Sequence, residues 1–403
     1  MAAHRSEKTR GNTAGRETGM TSGMMTTAAR LRERFGGLDE NTWLASHSMG
    51  APPLAARDAL AGYWQAWADH GPEAWPGWLA RMRAIADGIG AIIGAPPGSV
   101  SLLPNVSLSQ AAIASSLAFT SERNEVVYEA LQFPSLAYVW TAWERFGART
   151  RCVPTDDGMT IPTARITAAI GERTAVVVLS HAYYQSGALI DVPAIAAHAK
   201  RMGALVVLDT YQTTGIVPYD VRELGADIVV GGSHKWLCGG PGCGFIYVDP
   251  ALAATFEPAV TGWFGHAEQF GFAPAPIAYA SGPMHWASGT PTIPGYLVAQ
   301  AGHDLIREIG VLAIREHNIR LTTLIVQGAL DRGLRINTPL DPGARTGWIG
   351  IDVADGARIV DEFLARHVIV DYRPGCGIRV SAHFYTTDEE IGRFFAELDR
   401  LRN

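Results

Sequence analysis

The sequence predicts an α/β protein in which a largely parallel sheet lies between helices. The runs "TAVVVLS" (174–180) and "ALVVLDT" (204–210) are apolar and β-branched along most of their length, which is typical of strands covered on both faces. Between them, "VPAIAAHAKRMG" (192–203) has the spacing of a crossover helix and ends at Gly203. Strands that alternate with helices in this way favour a parallel sheet.

Helices precede this unit, and further strands lie on both sides of it. From Ala51 to Ile93 apolar residues recur at helical spacing, with breaks at Gly71, Pro72 and Pro76. The other predicted strands of the sheet are "NEVVYEA" (124–130), "ADIVV" (226–230) and "GFIYV" (244–248).

After about residue 290 the pattern changes to long helices and shorter strands. One helix is predicted to begin near Gly295, and a second runs from Leu312 to about Arg332. The segments that follow alternate between strand and helix: 347–353, Asp355–His367, 368–372, 377–382 and Asp388–Arg402. This order predicts a smaller α+β domain. The predicted organisation is a disordered extension (1–27), an N-terminal arm that packs with the small domain (28–50), a large ligand-binding domain (51–295) and a small C-terminal domain (296–403).

Composition and charge exclude several classes of function. The net charge of −6 argues against nucleic-acid and anionic-membrane partners, since both need a basic face. No stretch approaches the roughly 20 apolar residues of a membrane span, and the polar first 25 residues lack the apolar core of a secretory signal. We therefore expect a cytoplasmic protein, with Met20, Met24 or Met25 as alternative starts. The four cysteines match neither a disulfide framework nor a zinc site, and no metal is expected.

Polar residues collect where predicted strands end, which is where open α/β sheets bind ligands. Asp209 closes one strand, and Lys235 follows the next in a glycine-rich loop. Asn105, Val106 and Ser107 enter a helix, whose first N–H groups favour a phosphate. An amine, an acid and a phosphate cradle match the needs of pyridoxal phosphate: the lysine forms a Schiff base, and the carboxylate keeps the pyridine nitrogen protonated. Singly, each residue has a simpler explanation; an aspartate after a strand is often only a helix cap.

The stretch "VVLDTYQTTGIVPYDVRELGADIVVGGSHKW" (206–236) resembles the class V aminotransferases, which are pyridoxal-phosphate enzymes of fold type I. The resemblance extends over roughly residues 40–400. It implies that Lys235 carries the cofactor, that Asp209 partners the ring nitrogen, and that Gln212 hydrogen-bonds the phenolic oxygen.

The same resemblance implies the remaining contacts of such a site. Ser233 and His234 would help to hold the phosphate. "SGTP" (288–291) resembles the segment that reaches a neighbouring subunit's phosphate, so Thr290 implies a homodimer with shared sites. "GIRVSAHFYTTDEEI" (377–391) resembles the motif whose arginine binds the substrate α-carboxylate, a role that falls on Arg379.

Three further stretches are similar to kynureninases: "WLASHSMG" (43–50), "FPS" (133–135) and "GWFGH" (262–266). The similarity implies that Phe133 stacks on the cofactor and that Trp263 contacts its phosphate near the shared site. The other residues expected at the substrate lie in these stretches or after the strand 174–180: His47, Ser48, His266, His181 and Tyr183. The aromatic side chains of Phe133 and Trp263 could instead belong to the core.

The chain departs from the kynureninase pattern at three positions. Leu136 stands in place of an aspartate, Gln212 in place of a histidine, and His234 in place of the tyrosine before the lysine. The sequence therefore predicts a kynureninase-like enzyme, a hydrolase or lyase acting at the β carbon of an amino acid. An aminotransferase, a C–S lyase or a desulfurase remains an alternative, and so does a cofactor-binding regulator. Cys376 tests the desulfurase alternative, which needs a cysteine nucleophile; its tight Pro-Gly turn favours a structural role.

Overall fold

The computed structural model of the chain describes residues 30–272 and 274–402. The disordered extension predicted for residues 1–27 lies outside these residues, as do the first two residues of the predicted arm. Among the described residues, no helix has both the length and the apolar character needed to cross a membrane.

The strands and helices are numbered here in chain order. The strands are β1 (Thr42–Trp43), β2 (Val100–Leu103), β3 (Glu125–Glu129), β4 (Arg149–Val153), β5 (Thr174–Ser180), β6 (Leu205–Asp209), β7 (Ile228–Gly232), β8 (Gly244–Val248), β9 (Arg335–Ile336), β10 (Trp348–Asp352), β11 (Val368–Ile369), β12 (Asp371–Arg373) and β13 (Gly377–Ser381). The α-helices are α1 (Leu54–His70), α2 (Trp75–Ile93), α3 (Val106–Ser115), α4 (Pro134–Ala142), α5 (Thr163–Ala169), α6 (Val192–Arg201), α7 (Val221–Leu224), α8 (Pro250–Ala253), α9 (Ile293–Ile309), α10 (Val311–Leu330), α11 (Gly356–Ala365) and α12 (Asp388–Arg402).

Seven of the described strands form the large sheet in the order β2-β8-β7-β6-β5-β3-β4. The five strands from β7 to β4 are mutually parallel, and β8 is antiparallel to both of its neighbours. The largely parallel α/β fold predicted from the sequence is confirmed. The prediction omitted β2 and β4: β2 is very short, and β4 carries two arginines at the exposed edge of the sheet.

Helices cover both faces of this sheet, which explains why its strands are apolar without alternation. In β5, Val176 and Val178 pack into the core on one face, while Val177 and Leu179 pack into the core on the other. Burial on both faces removes the polar positions that would otherwise alternate along a strand.

The C-terminal part of the chain forms a second, antiparallel sheet in the order β12-β13-β10-β9. The N-terminal arm joins this part of the molecule, because β1 pairs in parallel with β11. Helix α9 crosses the predicted boundary at 295/296 and packs against α1 and α2. The division of the chain into domains stays a prediction.

The topology brings several strand ends together at one edge of the large sheet. Ser180 at the end of β5 pairs with Asp209 at the end of β6, and Asp209 pairs in turn with Val230 near the end of β7. Because these strands are parallel, the loops that follow them open on the same side. The candidate site lies there.

Candidate active site

A cavity of about 310 Å³ lies at this edge, between the large sheet, the N-terminal arm and the C-terminal sheet. Eleven of the residues singled out in the sequence line it: His47, Ser48, Asn105, Val106, Ser107, Phe133, Asp209, Gln212, His234, Lys235 and Arg379. The other lining residues are Ser135, Ser180, Ala182, Tyr184, Tyr211 and Arg373. Residues more than 300 positions apart in the chain therefore share one site.

Lys235 reaches the cavity from the loop that follows β7. Its Nζ lies 4.8 Å from the ring centroid of Tyr211 and 5.7 Å from that of Phe133. Burial of the amine lowers its pKa to about 8, although the nearby Asp209 carboxylate acts in the opposite direction. A lysine with this pKa is partly neutral near pH 8, which suits an amine that acts as a nucleophile or a base.

Asp209 ends β6 and is only 6% exposed. Burial raises the pKa of its carboxyl to about 6, while the Tyr211 N–H, 2.7 Å from Oδ1, and the charge of Lys235 lower it. The group is therefore ionised at neutral pH and offers a fixed negative charge on the cavity wall. Such a carboxylate stabilises a protonated ring nitrogen.

The start of helix α3 forms another wall of the cavity. Asn105 caps the helix by accepting the Leu108 N–H at 3.0 Å through its side chain. Val106 and Ser107 occupy the first turn, where backbone N–H groups have no partner within the helix. Since the helix dipole is positive at this end, the turn favours an anion such as a phosphate.

Arg379 on β13 is held from three sides. Its Nε donates to Oδ1 of Asp371 at 2.8 Å, its Nη2 donates to the other oxygen of that carboxylate, and its Nη1 donates to the Tyr184 carbonyl at 2.9 Å. The guanidinium lies 5.4 Å from the Trp348 ring centroid. A bidentate pair and a flat aromatic neighbour fix the orientation of the arginine fork.

His47 supports the same carboxylate. Its Nε2 lies 2.9 Å from Oδ1 of Asp371. Burial, reinforced by the charge of Arg379, lowers the pKa of His47 to about 4, so the ring is neutral at physiological pH. Burial alone would raise the pKa of Asp371, but the His47 and Arg379 side chains hold it well below its usual range. Asp371 is therefore a permanent anion.

Two residues predicted at the substrate point away from the cavity. Beyond the end of β5, Ser180, Ala182 and Tyr184 line it, whereas the alternate residues His181 and Tyr183 do not. His181 Nδ1 lies 3.0 Å from the Thr213 hydroxyl, and the buried Tyr183 hydroxyl has no hydrogen-bond partner among the described residues. The prediction chose the wrong side of an extended segment, whose side chains alternate.

Ser233 is also placed away from the cavity. Its hydroxyl is fully buried and lies 2.8 Å from Nε2 of His303 on α9. Gln212 does line the cavity, but its side-chain amide donates to the His47 carbonyl at 3.2 Å. The glutamine thereby ties the loop after β6 to the N-terminal arm.

Trp263, His266 and Thr290 lie outside this cavity. Trp263 is 37% exposed and stacks on Phe272, which is 71% exposed. His266 accepts the Glu268 N–H at 3.0 Å, and Thr290 borders a different surface hollow. These residues are not part of the walls around Lys235.

Cys376 is buried in the turn between β12 and β13. Burial raises the pKa of its thiol, and the sulfur lies 3.9 Å from the Pro374 carbonyl. A reactive thiolate needs exposure and a lowered pKa. The described geometry therefore favours the structural reading of this cysteine.

Among the residues not foreseen from the sequence are Tyr184, Tyr211 and Arg373, which line the cavity, and Asp371, which holds Arg379. Tyr211 stands between Asp209 and Gln212, so its position two residues beyond a strand end was an available signal. Asp371 was read only as part of a strand, and its pairing with Arg379 depends on the register of β12 and β13. Among the described residues, no group of His, Cys, Asp or Glu is arranged to hold a metal ion.

The donor set fits pyridoxal phosphate. The α3 turn and His234 would hold the phosphate, Asp209 the ring nitrogen, and Lys235 the aldehyde carbon. Phe133 and Tyr184, whose rings meet edge to face at 5.2 Å, give the cavity the aromatic wall that a flat ring needs.

Comparison with known proteins gives a consistent result. The family model "Aminotransferase class-V" matches residues 79–394. The uncharacterized aminotransferase YcbU of Bacillus subtilis is 30% identical over 369 residues, which cover 92% of this chain and 96% of that protein. A kynureninase of Pseudomonas fluorescens is 28% identical over 90% of this chain and 89% of its own length.

Solved structures show the same fold. An apo cysteine desulfurase from Thermococcus onnurineus superposes with a TM-score of 0.82 at 20% identity, covering 93% of this chain and 97% of that one. The cystine C–S lyase C-DES, in complex with cysteine persulfide, gives a TM-score of 0.82 at 21% identity and covers 90% of this chain and 98% of its own. At these identities the likeness is one of fold.

Proposed function

The chain belongs to the class V aminotransferase family, whose cofactor is pyridoxal 5′-phosphate, and from that premise we propose that it cleaves a bond at the β carbon of an amino acid, as a kynureninase-like enzyme does. The observation that carries the proposal is one cavity in which Lys235, Asp209 and Arg379 face each other. These supply a reactive amine, a fixed anion and a carboxylate clamp.

When bound, pyridoxal phosphate supplies an electron-withdrawing ring that stabilises negative charge at the α carbon of an amino acid. Arg379 binds the substrate carboxylate and so fixes which bond of the α carbon faces Lys235. Lys235 would accept the α-proton of the bound amino acid at Nζ, and its pKa of about 8 suits this task. Asp209 would keep the ring nitrogen of the cofactor protonated, and the stabilisation of negative charge at the α carbon depends on that positive charge.

One feature favours cleavage of the side chain over the other routes open to this family. The Phe133 and Tyr184 rings form an aromatic wall, which suits a flat aromatic substrate such as kynurenine. Transamination is the second candidate, because the YcbU relative carries that name.

A desulfurase route through Cys376 receives no support. The buried thiol with its raised pKa lacks the thiolate character that attack on sulfur requires.

The homodimer remains part of the proposal. Exposed aromatic side chains cluster around residues 263–272: Trp263 is 37% exposed, Phe270 54% and Phe272 71%. An apolar patch of this kind is typical of a surface that another chain covers. Thr290 and Trp263 would then serve the partner's phosphate, and sedimentation of the purified protein should report a dimer.

The direct test is incubation of the cofactor-loaded protein with L-kynurenine and with 3-hydroxykynurenine, followed by mass spectrometry. Hydrolysis breaks the Cβ–Cγ bond, adds the hydroxyl of water to the γ carbonyl carbon and returns a proton to Cβ. We expect equal amounts of alanine and the matching anthranilate. If neither forms while the cofactor stays bound, the cleavage proposal is wrong, and a 2-oxo acid acceptor then tests transamination.

A separate prediction concerns Asp371. Asp371→Asn keeps the shape of the side chain but removes its negative charge. That charge holds Arg379 and accepts the hydrogen bond from His47. A charge-assisted hydrogen bond contributes about 1.5–3 kcal/mol, so we expect KM for the amino acid to rise about 10-fold, with a smaller change in kcat. Steady-state kinetics measure the split.

The matched control for this substitution is Asp352→Asn on β10, two strands away in the same sheet, where the Asp352 carboxylate pairs with the exposed Arg335. It should leave both constants unchanged. A fall in KM for Asp371→Asn would contradict the prediction, because it would mean that Asp371 competes with the substrate carboxylate for Arg379.

A further inference from the structure

Tyr211 lies in the loop after β6, directly between the two groups that define the site. Its N–H donates to Asp209 Oδ1 at 2.7 Å, and its ring lies 4.8 Å from Lys235 Nζ. The ring therefore forms part of the cavity wall. None of the contacts described above gives this hydroxyl a role in binding the cofactor.

The path of the tyrosine ring depends on a glycine at the end of β7. A Cβ atom at Gly232 would lie 1.9 Å from the Tyr211 Oη, far inside the contact limit. Any side chain at position 232 would displace the tyrosine ring. Gly232 is thus the residue that lets the hydroxyl lie over the end of this strand.

The register of the sheet shows what lies next to that hydroxyl. Gly232 pairs with Gly244 on β8, and a Cβ at Gly244 would lie 3.0 Å from the Asn105 Cα. Residues directly opposite on antiparallel strands present their Cβ positions to the same face, about 4.5–5.5 Å apart. These separations place the Tyr211 hydroxyl within about 10 Å of Asn105, at the start of α3 and of the predicted phosphate cradle.

His234 completes this arrangement. Its Nδ1 lies 3.3 Å from the Tyr211 Oη. Burial lowers the pKa of His234 to about 4 and raises the pKa of Tyr211, so the imidazole is neutral and the phenol stays protonated. When His234 donates its Nδ1–H to the phenol oxygen, the single hydrogen of the phenol is left to donate to an oxyanion.

We propose that Tyr211 is a phosphate-anchoring residue whose hydroxyl, admitted by Gly232 and steadied by His234, joins the α3 turn in binding the phosphate of the cofactor. The proposal rests on the cofactor assigned above, and it is independent of which bond the enzyme cleaves. It predicts that Tyr211 distinguishes pyridoxal phosphate from pyridoxal, which has the same ring and aldehyde but no phosphate.

The experiment measures the affinity of the apoprotein for each of the two compounds by fluorescence titration, in the wild type and in Tyr211→Phe. Loss of a hydrogen bond to a charged group corresponds to about a 10-fold change in affinity or more. We expect Tyr211→Phe to lower the affinity for pyridoxal phosphate by at least about 10-fold and to leave the affinity for pyridoxal within about 2-fold of the wild type. Gly232→Ala, which displaces the ring, should give the same selective loss.

Tyr219→Phe is the matched control, since its phenol is also enclosed by protein and bonds to the Thr214 hydroxyl away from this cavity. It should change neither affinity. An equal loss of affinity for both compounds in Tyr211→Phe would overturn the proposal, because the tyrosine would then serve only as a wall for the ring. Unchanged affinity for both compounds would also overturn it. Failure of the wild type to bind pyridoxal phosphate would overturn the cofactor assignment as well, whereas a lack of kynurenine cleavage with selective binding intact would contradict only the reaction.

Discussion

Lys235→Ala should lower kcat by about 10⁴-fold, because it removes both the covalent attachment of the cofactor and the base that takes the α-proton. General base catalysis alone contributes about 10²–10⁴-fold. The cavity itself should persist, since the amine lies beside the Tyr211 and Phe133 rings, which remain in place. Turnover and the bound cofactor spectrum measure the two losses separately.

The composition of the chain makes this test unusually clean. The sequence contains only three lysines: Lys8, Lys200 and Lys235. Borohydride reduction of the loaded wild type should add the cofactor mass to the peptide that carries Lys235 and to no other. Lys200→Ala, on helix α6, is the control and should retain labelling and turnover. Labelling that survives in Lys235→Ala would contradict the assignment.

The second large effect is expected for Asp209→Asn. The amide oxygen can still accept the Tyr211 N–H, but the negative charge that keeps a proton on the cofactor ring is gone. Removing one preorganised electrostatic group from an active site costs about 10²–10³-fold in kcat. We expect a loss of that size in kcat, with the cofactor still attached to Lys235.

Asp227→Asn provides a matched comparison. Asp227 is also a partly buried carboxylate and accepts the Val206 N–H at 2.7 Å, but it directly precedes β7 and so lies at the opposite end of the strands. The substitution should leave kcat unchanged. If Asp209→Asn kept kcat within a few-fold of the wild type, Asp209 would not be the partner of the ring nitrogen.

The sequence predicted the framework of the site because that framework is local. Asp209 and Lys235 each follow an apolar strand, and parallel strands bring their ends to one edge of the sheet whatever the details of packing. The entry into helix α3 at Asn105 was visible for the same reason, since a helix start depends on residues a few positions apart.

Contacts that depend on long-range register could not be read in this way. Asp371 meets Arg379 only because β12 and β13 form an antiparallel pair, and His47 joins them from more than 300 residues away. His181 and Tyr183 were predicted at the substrate, but the alternate residues Ala182 and Tyr184 line the cavity. Periodicity shows that side chains alternate, but not which set faces a site formed by other parts of the chain.

The most direct test of the central claim, that Lys235 and Arg379 act together on the α carbon of an amino acid, is hydrogen exchange in D₂O. The loaded enzyme would be incubated with L-alanine, which has no side-chain bond for the enzyme to cleave hydrolytically, and the α-proton followed by NMR. We expect deuterium at the α carbon in the wild type and none in Lys235→Ala. A wild-type enzyme with its cofactor attached to Lys235 that exchanges no α-proton, with alanine or with kynurenine, would contradict the claim.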